Sequence, residues 1–332
     1  MLIAGTTEGA FVLAEDGRAD RILNAPNVRE VTHAAGRLWA GTGDGLFASD
    51  DGGATWTGPQ LDGREVWAVR EAADGTLYAG TQPAALFRSD DRGATWQENE
   101  AFAALPEATR WCVPLDPPLP GRARALAIDP ADPNRIWVGV EVGGVARTAD
   151  GGASWTVDLP GHNPDLHMMF AHPADPGTVF CSTGYGRFDH IAEEIEGNAG
   201  VFRTDDYGDT WEYAWKGITP RYSRPMCIDQ REPHSLTVAS APTAFSDHSD
   251  PDGALAALFR SDDHGRSWRS LCDEAHSPSA ANFHGLTVDP DHVGGVIVGT
   301  DTGEVWRVGD DAQWTLLGSG LPKVWALAPV TR

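Results

Sequence analysis

The residues of this sequence that could do chemistry recur at one position of a repeated strand pattern. Arg124 lies five residues before the Asp of the segment ALAIDP, and similar segments recur along the chain. The equivalent positions are mostly basic: Asn27, Glu65, Arg124, His167, Arg224, His284 and Lys323. If these segments surround one axis, converging cations favour an anionic partner. The plainer alternative is that strand starts near solvent are simply polar.

Acid–base hydrolysis without a metal is one chemistry that these residues fit. Arginine forks would orient an anionic substrate, while a carboxylate with His or Tyr would transfer protons or attack. The candidate catalytic residues are Glu65, Glu141, His167, Tyr185 and His284, with Tyr222 as an alternative tyrosine. The candidate substrate-binding residues are Arg124, Arg224, Lys323, Arg187 and Trp111.

A metal-assisted hydrolysis is the second chemistry. His167, His190 and His284 are the candidate ligands of a divalent ion such as zinc, with Asp165 or Glu141 as a carboxylate ligand. These histidines come from different repeats and have no diagnostic spacing. The sequence therefore leaves open whether any cofactor is present.

Three long insertions are expected to join the strands on the same face. They span residues 101–122, 184–200 and 242–253 and contain aromatic and ionisable side chains. Long loops in a compact fold are usually functional or disordered. Acidic residues also occupy short turns on this face: Glu8, Asp44, Glu141 and Asp301. Most such residues only form turns.

The elements that must position these residues are short strands joined by tight turns. The 332 residues include 38 Gly, 23 Pro and 13 Trp, a composition that disfavours long helices. An eight-residue pattern, [ST]-x-D-x-G-x-[ST]-W, occurs in five copies: 49–56, 89–96, 148–155, 204–211 and 261–268. Its Asp can accept hydrogen bonds across a turn, its Gly supplies a positive φ, and its Trp packs between sheets. We therefore interpret these aspartates as structural.

This pattern resembles the Asp-box, or bacterial neuraminidase (BNR), repeat. The resemblance implies an all-β propeller, with each box in the turn between the third and fourth strands of a blade. It also implies similarity to single-domain bacterial BNR-repeat proteins labelled glycosyl hydrolase or sialidase-like. Sialidases clamp a sugar carboxylate with three arginines, but the F/Y-R-I-P motif of that family is absent here. No catalytic residue is therefore transferred from it.

Seven strand units predict a single seven-bladed propeller of four-stranded blades over residues 1–332. The first unit lacks one strand, and the C-terminal segment 323–330 supplies an unpaired one, so the two ends should pair and close the ring. The expected blades are residues 1–25 with 323–330, 26–60, 61–100, 122–160, 165–216, 222–272 and 283–318.

Charge and targeting signals limit the function. Lys+Arg 25 and Asp+Glu 48 give a formal net charge of −23, which argues against nucleic acid or an anionic membrane as partner. No signal peptide or long apolar run is present, and the four cysteines lack C-x-x-C spacing. These features indicate a cytoplasmic protein without disulfides.

Our leading hypothesis is a hydrolase that acts on a small anionic substrate at the mouth of the central channel, glycoside-hydrolase-like by resemblance. The first alternative is a metal-dependent ester or phosphoester hydrolase that uses the histidines. The second is a non-catalytic scaffold that binds a protein or an acidic ligand.

Overall fold

Seven antiparallel sheets of four strands each build the fold, which a computed structural model describes for residues 1–188 and 198–330. The first sheet joins β1 (Leu2–Thr6), β2 (Gly9–Leu13) and β3 (Ala19–Leu23) to the last strand, β30 (Val324–Pro329). The pairing of β30 with β1 closes the ring and confirms the expected circular closure. The predicted seven-bladed all-β propeller is confirmed.

The other blades follow in chain order, each running from the inside outwards. Blade 2 contains β4 (Glu30–Ala34), β5 (Arg37–Thr42), β6 (Gly45–Ser49) and β7 (Thr57–Gln60). Blade 3 contains β8 (Glu65–Glu71), β9 (Leu77–Gln82), β10 (Ala85–Ser89) and β11 (Gln97–Glu98). Blade 4 contains β14 (Arg122–Ile128), β15 (Ile136–Glu141), β16 (Gly144–Thr148) and β17 (Thr156–Asp158).

The last three blades repeat this order. Blade 5 contains β18 (Leu166–Ala171), β19 (Val179–Thr183), β20 (Gly200–Thr204) and β21 (Glu212–Tyr213). Blade 6 contains β22 (Tyr222–Ile228), β23 (Leu236–Ala241), β24 (Ala257–Ser261) and β25 (Arg269–Ser270). Blade 7 contains β26 (Phe283–Val288), β27 (Val296–Thr300), β28 (Val305–Val308) and β29 (Trp314–Gly318).

The insertion between blades 3 and 4 holds the longest departure from this plan among the described residues. It comprises the short helix α1 (Glu100–Ala103), a 3₁₀ turn (Pro106–Arg110) and the hairpin of β12 (Cys112–Val113) and β13 (Leu119–Pro120). Two more 3₁₀ turns occupy Pro160–His162 and Glu274–His276. No helix within the described ranges is long and apolar enough to cross a membrane. All four cysteines are free thiols.

Each Asp-box carboxylate holds its turn through groups within four residues. In the first box, Asp51 accepts hydrogen bonds from the Thr55 backbone N–H at 2.8 Å and the Thr55 hydroxyl at 2.6 Å. The Ser49 hydroxyl donates to Asp51 and accepts from the Gly53 N–H, both at 2.8 Å. The other four boxes repeat these contacts, as at Asp91, Asp150, Asp206 and Asp263. The structural interpretation of these aspartates agrees with this geometry.

Blades pack against their neighbours through apolar side chains, and glycines on the second strands permit close approach. Trp39 of blade 2 meets Trp96 of blade 3 edge to face, with ring centroids 6.0 Å apart. A Cβ placed on Gly41 would lie 2.6 Å from the Val66 carbonyl oxygen of the next blade. One on Gly80 would come still closer to the Ala123 carbonyl oxygen. Each glycine thus lets the inner strand of the following blade sit against it.

Candidate functional site

The innermost strands share a β-bulge, and the residue at the bulge points to the channel mouth. The pairing register shifts between Val66 and Ala68, between Ala123 and Ala125, and between Leu166 and Met168. The strands β22, β26 and β30 shift at the same step. In blade 2 the equivalent residue immediately precedes β4. The bulge positions around the ring are Trp325, Arg29, Trp67, Arg124, His167, Arg224 and His284.

This ring corrects three expected positions. The structure places Arg124, His167, Arg224 and His284 at the bulge, as the repeat alignment predicts. In the other three blades the expected residues Asn27, Glu65 and Lys323 lie two residues too early, and Arg29, Trp67 and Trp325 occupy the bulge. In these blades the inner strand is not followed by the Asp or His that marks the alignment in the other four blades. A shift of two residues preserves the strand face, which is why the sequence pattern did not reveal it.

Arginine and tryptophan alternate on one side of the mouth. The Arg29 guanidinium lies between two indoles, 4.3 Å from the Trp325 ring centroid and 4.5 Å from that of Trp67. Arg124 covers the Trp67 ring at 4.9 Å. Such cation–π stacking holds the guanidinium planes in fixed directions. The Glu65 carboxylate accepts from Arg29 Nε at 2.9 Å, so Glu65 acts as a counter-charge here.

Glu141 is the buried carboxylate of the mouth. It lies at the end of β15 and accepts hydrogen bonds from Arg124 at 2.5 Å and Arg122 at 3.2 Å, both through Oε2. Burial raises the pKa of Glu141, but the two guanidinium groups outweigh that effect and hold the pKa well below its ordinary range. Glu141 is therefore ionised at neutral pH and is not a proton donor.

His167, Asp165 and Tyr222 continue the ring. His167 Nε2 lies 4.0 Å from Glu141 Oε1, 3.3 Å from Asp165 Oδ1 and 3.2 Å from the Tyr222 hydroxyl. Burial raises the pKa of Tyr222, and this phenol is neutral at neutral pH. The Tyr222 hydroxyl also accepts from Arg224 at 3.4 Å.

Arg224 and His284 complete the ring of side-chain contacts at the mouth. Arg224 Nη1 donates to His284 Nδ1 at 3.5 Å, and the His284 ring packs against Trp325 at 4.8 Å. Arginine has only donors, so Nδ1 accepts and the neutral imidazole carries its proton on Nε2. Burial, reinforced by Arg224 and Lys323, lowers the pKa of His284 well below its ordinary value. A continuous ring of contacts therefore passes through all seven blades.

Several donors of this ring lack a protein acceptor. Among the described residues, Arg224 Nε, Trp67 Nε1 and Trp325 Nε1 are buried without a hydrogen-bond partner. Burial works against the charge of Arg224, but Tyr222 and Glu141 outweigh it and raise its pKa. Arg224 is therefore a half-buried cation whose buried Nε can still donate a hydrogen bond.

The channel behind the ring is large enough for a small molecule. Its cavity has a volume of about 620 Å³, within the usual range for ligand pockets. Arg29, Arg124 and Arg224 line it at the mouth, and Met168 and Leu286 line it further in. Its lining also includes a second ion pair, Arg70 with Glu30 at 2.9 Å.

The remaining predicted site residues lie away from the cavity wall. Trp111 is buried against Phe102, with ring centroids 5.1 Å apart, and so belongs to the hydrophobic core. Tyr185 is buried behind Tyr222 at 5.7 Å. Lys323 pairs with Asp247 at 3.1 Å at the edge of the mouth. Arg187 is half-buried, and His190 lies outside the described residues.

Three groups of side chains in the described part of the chain could hold a metal ion. They are Glu141 with Asp165 and His167, His172 with Asp175 and His264, and Asp247 with His248 and Asp301. The predicted ligand His284 lies apart from His167, since Tyr222 and Arg224 stand between them in the ring. Asp165 and Glu141, which the sequence offered as auxiliary ligands, are the groups that the fold brings to His167.

Sequence reasoning missed four mouth residues: Arg29, Trp67, Arg122 and Trp325. The tandem R-x-R of Arg122 and Arg124 was a signal for Arg122, because alternate residues of a strand share a face. Counting back four residues from the strand end, which gives Arg124 in blade 4, would also have found Trp67 and Trp325.

The comparisons with known proteins agree with the fold. A BNR-Asp box repeat family model matches residues 86–99, and no curated protein matches the chain in sequence. The GH74 xyloglucanase from Xanthomonas campestris is similar in structure, with a TM-score of 0.69 and 19% identity over 96% of this chain and 52% of that one. The Niastella koreensis GH74 enzyme has a TM-score of 0.64 and 16% identity over 95% and 46%.

A third protein of similar structure is not named as a GH74 enzyme. YCF48 from Cyanidioschyzon merolae has a TM-score of 0.57 and 13% identity over 89% of this chain and 86% of that one. This chain spans about half the length of the two GH74 enzymes. At these identities the likeness shows the seven-bladed Asp-box propeller, a fold that glycoside hydrolases use, and nothing about the reaction.

Proposed function

We propose that the protein binds a small anionic ligand at the channel mouth. The observation that carries this proposal is Arg224, a half-buried guanidinium that lines the cavity and whose buried Nε has no acceptor among the described residues. A buried charged donor without a partner is costly, and an oxyanion would satisfy it.

The charge balance around the ring supports an anion. Arg29 is paired with Glu65, whereas Arg122 and Arg124 share the one carboxylate of Glu141. Arg224 forms no ion pair within 4.0 Å in the described part of the chain. The mouth therefore holds more guanidinium groups than carboxylates in direct contact with them, although the whole chain is strongly acidic.

The class of ligand follows from the hydrogen-bond donors at the mouth and from the volume of the cavity. Guanidinium forks suit carboxylate, sulfate or phosphate oxygens, and neutral His284 adds a donor without adding charge. A cavity of about 620 Å³ accommodates a sugar acid or a compound of similar size. We propose a small organic acid or acid ester as the ligand.

Titration calorimetry with sulfate and with glucuronate tests this proposal, with neutral glucose as the uncharged comparison. We expect both anions to bind the wild-type protein and Arg224→Ala to weaken their binding about 10- to 150-fold, the loss of one charge-assisted hydrogen-bonding group. Arg224→Lys should recover only part of that loss, because it restores the charge without the fork.

The matched control is Arg21→Ala. Arg21 is an exposed arginine that pairs with Glu8 and does not line the cavity, so its removal should leave binding unchanged. Equal weakening by both variants would mean that only overall charge matters and would refute a specific site. No binding of either anion would refute the proposal as a whole. Tolerance of every single ring substitution would favour a scaffold that docks an acidic protein segment.

Hydrolysis of the bound anion is a second candidate function. It is favoured by the position of Tyr222 and Glu141 beside the arginines. We propose that Tyr222→Phe and Glu141→Gln abolish turnover of fluorogenic sialosides or glucuronides, while Arg21→Ala leaves it intact. Absence of turnover by the wild-type protein on both substrate classes, with glucuronate binding retained, would leave a binding protein.

A further inference from the structure

We infer that Glu141, Asp165 and His167 form a site for a divalent transition-metal ion in the wall of the channel mouth. All three side chains are buried, and their nearest ligand atoms lie within 4.8 Å of one another. His167 Nε2 is 3.3 Å from Asp165 Oδ1, about the separation of neighbouring ligands on a tetrahedral zinc ion with bonds of about 2.0–2.1 Å.

The orientation of His167 suits a metal ligand. Its Nδ1 lies 2.7 Å from the Ser223 carbonyl oxygen. A carbonyl oxygen only accepts, so Nδ1 carries a proton and Nε2 is directed at the two carboxylates. Ligating histidines usually have this second contact, an N–H donated to a carbonyl oxygen that fixes the ring.

The carboxylates are held with one oxygen each towards His167. Asp165 Oδ2 accepts the Gly186 backbone N–H at 2.8 Å, whereas Oδ1 approaches Nε2. Glu141 Oε2 accepts from Arg124 and Arg122, whereas Oε1 is the atom nearer to His167. His167 Nε2 therefore faces two carboxylate oxygens and the Tyr222 hydroxyl, which lies 3.2 Å away and is a neutral donor. A cation bound between Nε2 and the two carboxylates would remove the repulsion between their lone pairs.

The other two groups lack this arrangement. His172 Nδ1 accepts the backbone N–H groups of Ala174 and Asp175, which leaves only Nε2 for a metal, and the carboxylate of that group, Asp175, is exposed. Both oxygens of Asp301 accept backbone N–H groups, those of Asn282 and His248. Neither carboxylate oxygen of Asp301 is therefore left without a hydrogen-bond donor.

One His and two carboxylates fit zinc, manganese or ferrous iron better than calcium or magnesium, which take oxygen ligands alone. The site is distinct from the arginines that we propose to bind the anion, and the two can succeed or fail separately. A metal ion here would place a Lewis acid next to the proposed anion site.

Zinc loading of the chelator-treated protein tests the site. After incubation with Zn²⁺ and desalting, we expect about one zinc per chain in the wild-type protein by elemental analysis. His167→Gln and Asp165→Asn should each reduce this to the background level. His264→Gln removes a side chain of the competing cluster and should retain the full amount.

Cobalt substitution of the wild-type protein tests the site even if His167→Gln and Asp165→Asn do not fold. The wild-type protein loaded with Co²⁺ should develop visible absorption bands that added Zn²⁺ abolishes. Failure of the wild-type protein to retain Zn²⁺, Mn²⁺ or Fe²⁺ would overturn the inference. Loss of zinc in His264→Gln alone would also overturn it. Sulfate binding by the metal-free protein reports on Arg224 and separates the two proposals.

Discussion

The Asp-box turns and the channel mouth both hold carboxylates in dense hydrogen-bond networks, but the partners come from different distances along the chain. Asp51 is held by Ser49 and Thr55, within four residues. Glu141 is held by Arg124 and Arg122, 17 and 19 residues earlier in the chain, and faces His167 of the next blade. The first network closes a turn, whereas the second joins neighbouring blades.

This difference explains why one region repeats and the other does not. A box carries all its partners with it, so five copies adopt the same geometry in five blades. Each position at the mouth belongs to a ring in which a side chain must suit its neighbours on both sides. The propeller thus combines a repeated outer frame with a single asymmetric site.

The largest expected effect comes from removing the charge of Glu141. Glu141→Gln leaves two buried guanidinium groups without their counter-charge and should cost about 3–5 kcal/mol of unfolding free energy, measured by denaturant titration. Glu8→Gln breaks the exposed pair with Arg21 and should cost less than about 1 kcal/mol. Equal costs for the two variants would show that the mouth network is not a buried ion cluster.

The second effect separates coupled from independent sites. In a double-mutant cycle, Glu141→Gln and Arg124→Met should couple by about 1–3 kcal/mol, because they share one contact. Asp150→Ala and Asp263→Ala lie in the boxes of non-neighbouring blades and should be additive within about 0.5 kcal/mol. Each box variant alone should cost about 1 kcal/mol, as for a lost helix cap. Strong coupling between the boxes would contradict their local character.

Acid should weaken the box turns over a defined pH range. Hydrogen bonds from Thr210 and Thr204 lower the pKa of Asp206 to about 2, and those from Ser154 and Thr148 do the same for Asp150. Both pKa values lie below the ordinary 3.8. The stabilisation is therefore complete above about pH 4 and is lost as the pH falls towards 2.

Thermal melting between pH 5 and pH 2.5 measures this loss. On acidification, the melting temperature of Asp206→Asn should fall less than that of the wild-type protein, because the variant lacks one of the titrating Asp-box carboxylates. An identical loss in both proteins would place the acid sensitivity elsewhere.

The smallest expected effect concerns His284, at the mouth. Its pKa is lowered well below 6.5, so the unfolded chain takes up a proton first and stability falls as the pH drops below about 6.5. His284→Gln should flatten the change in unfolding free energy between pH 7 and pH 5. An unchanged slope in the variant would mean that His284 does not feel the charges of Arg224 and Lys323.

The sequence alone determined the outer frame of this protein. The boxes, the strand units and the orphan strand at the C-terminus predicted seven four-stranded blades and the pairing of β30 with β1. These features rest on contacts within one hairpin, or on the pairing of ends that would otherwise remain open. Contacts within one hairpin can be predicted from residue types a few positions apart in the sequence.

Four of the residues at the mouth could also be predicted from the sequence. Arg124, His167, Arg224 and His284 each lie five residues before an Asp or His that directly follows the inner strand and accepts turn N–H groups. Where that marker is missing, a two-residue error placed Asn27, Glu65 and Lys323 at the bulge. The strand face was still correct, because side chains alternate with a period of two.

Only the tertiary structure decided which side chains meet. The stacking of Arg29 between Trp67 and Trp325, the sharing of Glu141 by Arg122 and Arg124, and the approach of Asp165 to His167 depend on the bulge. The contact of Arg29 with Trp325 also depends on ring closure, which brings distant parts of the chain together. The sequence pattern identifies strands and turns because their partners are local. It leaves the site undetermined because the partners there are set by how seven blades pack around one axis.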